Sequence, residues 1–305
     1  MKASLPIISV LITGLAISCD RPATVDAGPA PRVYAIVDLS GGPEATNYAV
    51  TYLDDLPTDS AQEEYKTDKL ILRWIASDTF TMGQPVLATP VHSVTLSKGF
   101  YIALWEITEA QWENVMGPFT FHFDGNPTHP AESVSWEDIR GEHRSHDWPR
   151  ERGVGEASFM GRLSAKTPAG MHFDLPTEAQ WEFACRAGTD TRWSFGDSTD
   201  DANDHLWSDD NSEESSHRVG TLKPNPWGLF DLHGNVAEWC LNRHGSYPRD
   251  AQTDPEGPST GWHRIWRGGD WAVAPYLTQC AARGGGQPSE RSPYVGFRPV
   301  STLAP

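Results

Sequence analysis

The chain has 305 residues, enough to bury a substantial core as one large or two small domains, and no long linker divides it. Its 24 basic and 41 acidic residues leave a formal charge of −17, a field that disfavours nucleic acid and anionic membrane surfaces as partners. The 27 glycines, 24 prolines and 13 tryptophans point to a loop-rich body with aromatic side chains filling the core between short elements.

The first element is a targeting segment. Lys2 supplies a positive start, and Leu5 to Ile17 is an apolar run too short to span a bilayer. Residues 1–18 therefore read as a signal peptide. Ala16-Ile-Ser-Cys19 has the form of a lipobox, with Cys19 as the lipidation site and residues 19–31 as a flexible tether. An ordinary signal peptide with an incidental cysteine is the alternative. The lipobox reading places the protein in a bacterial envelope, membrane-anchored only through its lipid and facing the periplasm or the outside.

Residues 32–66 form a β-rich leading segment. Val33 to Leu39 and Tyr48 to Leu53 alternate around Gly41-Gly-Pro43, which predicts a strand pair. A main domain over residues 67–302 follows. Thr108-Glu-Ala-Gln-Trp-Glu113 and Thr177-Glu-Ala-Gln-Trp-Glu182 each predict a helix with a threonine cap and a glutamine in the capping-box position. Gly188 is the expected stop of the second. Further helices are expected at Trp136 to Ile139 and Glu156 to Leu163. Residues 196–216 carry eight acidic residues and few apolar ones, which reads as an exposed loop.

Most short enzyme motifs fail on context. Gly257-Pro-Ser-Thr-Gly261 fits a nucleophile-elbow spacing but holds Pro258 and lacks a strand-then-helix frame. Glu142-His-Arg-Ser-His146 lacks a third zinc ligand nearby, so a solvated face is the simpler reading. Gly284-Gly-Gly286 lacks the lysine of a phosphate loop.

The densest stretch is Gly228-Leu-Phe-Asp-Leu-His-Gly-Asn-Val-Ala-Glu-Trp239. Asp231 and Glu238 are hard oxygen donors. Gly234 and Asn235 tolerate the tight turns that aim carbonyls inward. Such a mixed oxygen set suits calcium, while a plain turn in which Asp231 bonds its own backbone is the bland alternative.

Three other groups of residues flank this stretch. They are Phe80-Thr-Met-Gly83 through Trp105-Glu-Ile-Thr-Glu-Ala-Gln-Trp112 and Val134-Ser-Trp136, then Leu175 to Thr189, then Arg267-Gly-Gly-Asp-Trp271, Cys280-Ala-Ala-Arg283 and Gly296-Phe-Arg298. In this order they resemble the sulfatase-modifying-factor domain of the formylglycine-generating enzyme, over roughly Lys69 to Val300. The resemblance implies an α/β (α+β) C-type-lectin-like fold with little regular secondary structure. It implies a structural calcium ion held by Asp231, the Gly234 and Val236 carbonyls and Glu238, and a second site at Asn211 and the Ser212 carbonyl. It also implies a disulfide between Cys185 and Cys280, with Cys240 reduced.

The oxidases of this family hold copper with two cysteines soon after the Arg-Gly-Gly block. Here Trp271-Ala-Val-Ala-Pro-Tyr-Leu-Thr-Gln-Cys280 carries no cysteine before Cys280, so copper is not expected and no catalytic residue is assigned. The function expected is a calcium-stabilised binding or accessory lipoprotein. Its surface for an unknown protein or small-molecule ligand would hold Asp270, Trp271, Tyr276 and Tyr294. The alternative is a formylglycine-generating oxidase, or another activity in the same cleft.

Overall fold

The structure is a computed structural model describing residues 32–141 and 153–303. The signal sequence, Cys19, the tether and Glu142 to His146 lie outside the described residues.

Strands β1 (Tyr34–Asp38) and β2 (Val50–Leu53) pair antiparallel, and β1 also pairs with β3 (Lys69–Ile75), which follows the short α1 (Glu64–Thr67). The leading segment is thus built into a larger sheet. A hairpin, β4 (Thr79–Gln84) and β5 (Ala88–Thr95), then precedes β6 (Phe100–Ala103), α2 (Glu109–Met116), α3 (Trp136–Arg140), α4 (Phe159–Lys166), β7 (Met171–Asp174) and α5 (Glu178–Arg186). The rest is β8 (Ala237–Arg243), β9 (Gln252–Thr253), β10 (Arg264–Arg267), β11 (Arg283–Gly286), β12 (Val295–Gly296) and β13 (Val300–Leu303). These strands make a six-stranded sheet, β2-β1-β3-β6-β13-β7, a four-stranded sheet, β11-β10-β8-β12, and a three-stranded sheet, β4-β5-β9.

The large sheet is buried on both faces. Ala35, Val37, Leu70, Leu72, Tyr101 and Ala103 enter one core, while Tyr34, Ile36, Ile71, Phe100 and Ile102 enter another. A strand covered on both sides needs apolar residues facing both cores, which is why Tyr34 to Val37, Leu70 to Leu72 and all of β6 are unbroken apolar runs, and Val33 to Leu39 does not alternate as expected from sequence. Helices α2, α3 and α4 fill the first core through Trp112, Trp136 and Phe159. Helix α5 fills the second through Ala179, Trp181 and Phe183.

The helix starts follow their local chemistry. Thr108, Ser135 and Thr177 all close full capping boxes, with Gln111, Asp138 and Gln180. Helix α4 begins later than Glu156, because Ser158 is its cap and accepts from the Gly161 amide. Helix α5 ends with Ala187 in the left-handed region (φ 48°), one residue before the glycine expected to stop it. The acidic loop also differs from the simple exposed reading. Its carboxylates are exposed, but Leu206, Ser208, Ser212 and Ser216 are buried and tie it to the body.

Candidate functional site

The turn before β8 is built on left-handed backbone at Asp231 (φ 57°), Gly234 (φ 92°) and Asn235 (φ 62°). Glycine is required at 234, since a Cβ there would sit 1.6 Å from the Trp207 carbonyl oxygen. Asn235 locks the turn: its side-chain oxygen accepts from the His217 amide at 2.8 Å, and its amide donates to Glu106 Oε1 and the His217 carbonyl, both at 3.2 Å.

This turn stacks buried charge. Both Glu238 oxygens accept from Arg298 at 2.6 Å, and Oε2 also accepts from the Trp181 indole at 2.7 Å. The remaining Arg298 donors reach the carbonyls of Ala103, Leu104 and Phe230. Asp231 Oδ2 accepts from the Gly220 amide at 2.6 Å, but Asp231 Oδ1 and Glu106 Oε2 are buried with no partner. Burial pushes the Asp231 carboxyl up to about 6. Burial, and then the Asp231 charge, hold Glu106 well above the usual carboxylate range.

Two unpartnered buried oxygens beside an excess of carboxylates suit a hard cation, which takes many oxygens in a flexible arrangement. Asp231 and Glu106 bring those oxygens. Glu238 contributes least, because Arg298 and Trp181 already occupy both of its oxygens. Asn211 and Ser212 hold their own loop. Asn211 bonds the Ser208 amide and the Leu206 carbonyl, and the Ser212 carbonyl accepts from His217 at 2.7 Å.

A surface shelf lies on the far side of the turn. The Trp271 amide donates to the Asn235 carbonyl, and its indole donates to the Pro293 carbonyl. Its ring, only 9% exposed, packs on Tyr294 at 4.9 Å and Phe123 at 5.5 Å. Tyr294, 40% exposed, offers open aromatic area above this nearly covered floor, while Tyr276, 60% exposed, stands on the Pro275–Thr278 turn. Burial lifts Asp270 to about 6, and its Oδ1 accepts from the Ala272 amide. The acidic loop is stitched to the shelf by Ser212 Oγ on the Trp271 carbonyl and the Asp209 amide on the Val273 carbonyl. The structure thus gathers Asp270, Trp271 and Tyr294 around one rim, and adds Phe123, which sequence reasoning missed.

Cys185 and Cys280, 95 positions apart, bring their sulfurs to 3.3 Å in a fully buried setting. Both are free thiols at this separation; a bridge would need about 2.05 Å. His233 makes a third neighbour, and among the described residues this trio converges within 4.8 Å as a metal site would. Its hydrogen bonds argue for a structural role. Nδ1 must donate to the Thr278 carbonyl at 2.8 Å, which leaves Nε2 as the acceptor for the Ser194 amide and hydroxyl, at 3.2 and 2.9 Å. Cys185 Sγ lies almost equally far from both ring nitrogens, 3.8 and 4.0 Å, and so off the axis of the one free lone pair. Cys240 is buried elsewhere on β8, with its sulfur against the Glu238 carbonyl at 3.7 Å.

Glu106, Glu182, Arg267 and Arg298 were not assigned from sequence. A signal existed for the arginines, since Arg267 and Arg298 stand next to apolar strand residues, where a charge demands a partner.

Comparison with known proteins bears on the whole domain. A family model described as "Sulfatase-modifying factor enzyme 1-like domain" matches residues 57–303. A serine/threonine-protein kinase pkn1 of Chlamydia caviae is 36% identical over 179 residues, covering 57% of this chain and 24% of that protein. A formylglycine-generating enzyme of Thermomonospora curvata is 29% identical over 211 residues, covering 62% of this chain and 60% of that enzyme. The alignments thus span less than two thirds of these relatives. Among solved structures, Treponema denticola variable protein 1 superposes with a TM-score of 0.66 at 26% identity, covering 78% of this chain and 96% of that one.

Proposed function

The chain belongs to the family of the sulfatase-modifying factor enzyme 1-like domain, and from that premise we propose that it is a binding or accessory lipoprotein rather than an oxidase. The observation that carries this reading is the interval from Trp271 to Cys280, where the oxidases place their copper thiolates. Here it holds no thiol before Cys280, and Cys280 is buried against Cys185. Two convergent thiolates select Cu(I); the convergent pair among the described residues, Cys185 and Cys280, is fully buried, and burial holds the Cys185 thiol well above its usual range, against the thiolate form that copper needs. The shelf of Trp271, Tyr294 and Phe123 beside Asp270 is then the recognition surface, with aromatic area for affinity and one carboxylate for orientation.

Copper titration decides between the two readings. The purified protein is expected to take up no stoichiometric Cu(I) and to leave a Cys-x-Pro-x-Arg peptide unchanged. Uptake with turnover would establish the oxidase instead. Tyr294→Ala should abolish binding of a screened ligand that photo-crosslinking places on the shelf, and leave the melting temperature unchanged.

Calcium, in this proposal, joins Asp231, Glu106 and the turn carbonyls. A ligand at 100 times its Kd adds about 2.7 kcal/mol, so a chelator should lower the melting temperature by several degrees. Asp231→Asn should remove that response, and a melt indifferent to chelator excludes the ion. Export through Cys19 would place Cys185 and Cys280 in an oxidising compartment, where they would close a bridge worth roughly 4–5 kcal/mol in the chain-entropy model. Cys19→Ser should move the protein from membranes to the soluble fraction, and non-reducing peptide mapping should find Cys240 free.

A further inference from the structure

A cavity of about 340 Å³ opens beside the N-terminus of α5, between β8 and the 245–258 loop. It lies apart from the Trp271 shelf, none of whose residues lines it. Its floor is a charged lattice. Glu178 Oε1 accepts from the Tyr247 hydroxyl at 2.9 Å, Arg267 at 3.0 Å and Arg283 at 2.6 Å, and Oε2 accepts from Arg283 at 3.0 Å. The Arg283 guanidinium rests on the Tyr247 ring, 4.1 Å from its centroid. Its plane is thereby fixed.

Hydrogen-bond accounting shows what the floor lacks. A guanidinium carries five N–H groups. Arg283 spends two on Glu178 and one on the Gly245 carbonyl, so two have no acceptor among the described residues. Asn242 is similar. Its oxygen accepts from the Glu178 amide at 2.6 Å, while its amide nitrogen reaches the Pro255 carbonyl only at 3.5 Å. The lattice acceptors are crowded, and the donors are in surplus. Met82, Ala179, Pro248, Pro255 and Pro258 give the walls an apolar part, with His92, Ser246 and Gln252 among them.

We propose that this cavity binds a small monocarboxylic acid, its carboxylate on Arg283 and Asn242 and its apolar body against Met82 and the prolines. An oriented guanidinium with free N–H groups is a matched carboxylate receptor. Glu256 also lines the cavity, and the chain carries −17, so a single negative charge is favoured over a dianion such as phosphate. The volume lies at the small end of ligand pockets, which suits a body of a few carbons or one ring.

The test uses butyrate and benzoate, their neutral amides, and inorganic phosphate, with binding read by calorimetry and ligand-observed NMR on the purified protein. The acids should bind at least about tenfold more tightly than the amides, the loss of one charge-assisted contact. Asn242→Asp is the informative variant. It keeps the oxygen that accepts from the Glu178 amide and replaces the donor with a repelling carboxylate, so affinity should fall about tenfold while the protein stays folded. Should that variant unfold, Pro258→Asp in the exposed loop applies the same repulsion at the wall and should weaken binding likewise. Acids that do not bind, amides or phosphate that bind as well as the acids, or binding indifferent to both aspartates would each overturn the proposal.

Discussion

Helices α2 and α5 begin with the same six residues, Thr-Glu-Ala-Gln-Trp-Glu, at 108–113 and 177–182. Both close the same capping box, and both bury the tryptophan. They belong to opposite cores of the six-stranded sheet, and there the likeness ends. Glu109 holds one loop amide and leaves Oε1 buried without a partner. Glu178 is gripped by Arg267, Arg283 and Tyr247. Glu113 is exposed, while Glu182 is buried between Arg186, Arg267 and the Gly83 amide. The Trp112 indole nitrogen has no acceptor among the described residues, and that of Trp181 donates to Glu238. A short sequence sets where a helix starts; distant strands set what its side chains can do.

The largest expected contrast is between the two second glutamates. Glu182→Ala strands Arg267 and Arg186 in the core and should cost roughly 3–5 kcal/mol, as for breaking other buried ion pairs. Glu113→Ala, at the twin position on the surface, should stay within about 0.5 kcal/mol. Equal losses in urea titration would show that the α5 network contributes no more than an exposed side chain.

The first glutamates should differ in the sign of their pH dependence. Burial raises the Glu109 carboxyl from the usual 4.5 to about 7. Its stabilisation is therefore whole below the unfolded value and is lost as pH rises through about 7. Burial also works to raise Glu178, but Arg267 and Arg283 outweigh it and hold that carboxyl below its usual range. Its stabilisation is present above the unfolded value and is lost as pH falls through the folded one. Glu109→Gln should flatten the stability curve between pH 4.5 and 7, by on the order of 1 kcal/mol after solvent screening. Glu178→Gln should lower stability at neutral pH and blunt the acid limb. Curves that move together would refute the contrast.

The tryptophans give the smallest effect. Trp112→Phe and Trp181→Phe remove similar volume, so cavity costs nearly cancel between them. The second also removes one of the two donors to Glu238 Oε2, Arg298 keeping the other, and should be worse by about 0.5–1 kcal/mol.

These pairs also mark how far the sequence could be read. Caps are local, so Thr108 and Thr177 announced their helices. The turn at 231–238 was legible because Asp, Gly and Asn have special backbone freedom that tertiary contacts do not alter. The partners of that turn were not. Glu238 meets Arg298 only because β12 runs parallel beside β8 with Gly296 opposite Glu238, a register that no local pattern encodes. Glu106 reaches the turn through Asn235, 129 positions away. The acidic loop misled for a related reason: Ser212 is buried by its bond to the Trp271 carbonyl, and Trp207 and His217 tie the segment to the turn at His233 and Asn235.

The place of β13 has a consequence for how the molecule comes into being. This strand, residues 300–303, lies between β6 and β7 and joins them, with Val300 opposite both Ile102 and Asp174. Neither neighbour can take its final partner while the ribosome is still making the segment before Val300. Assembly of the sheet therefore waits until residues 300–303 are made, and the long loops it must close predict slow folding, in milliseconds to seconds. A stop codon just upstream of Val300 would leave two open strand edges, a template for aggregation.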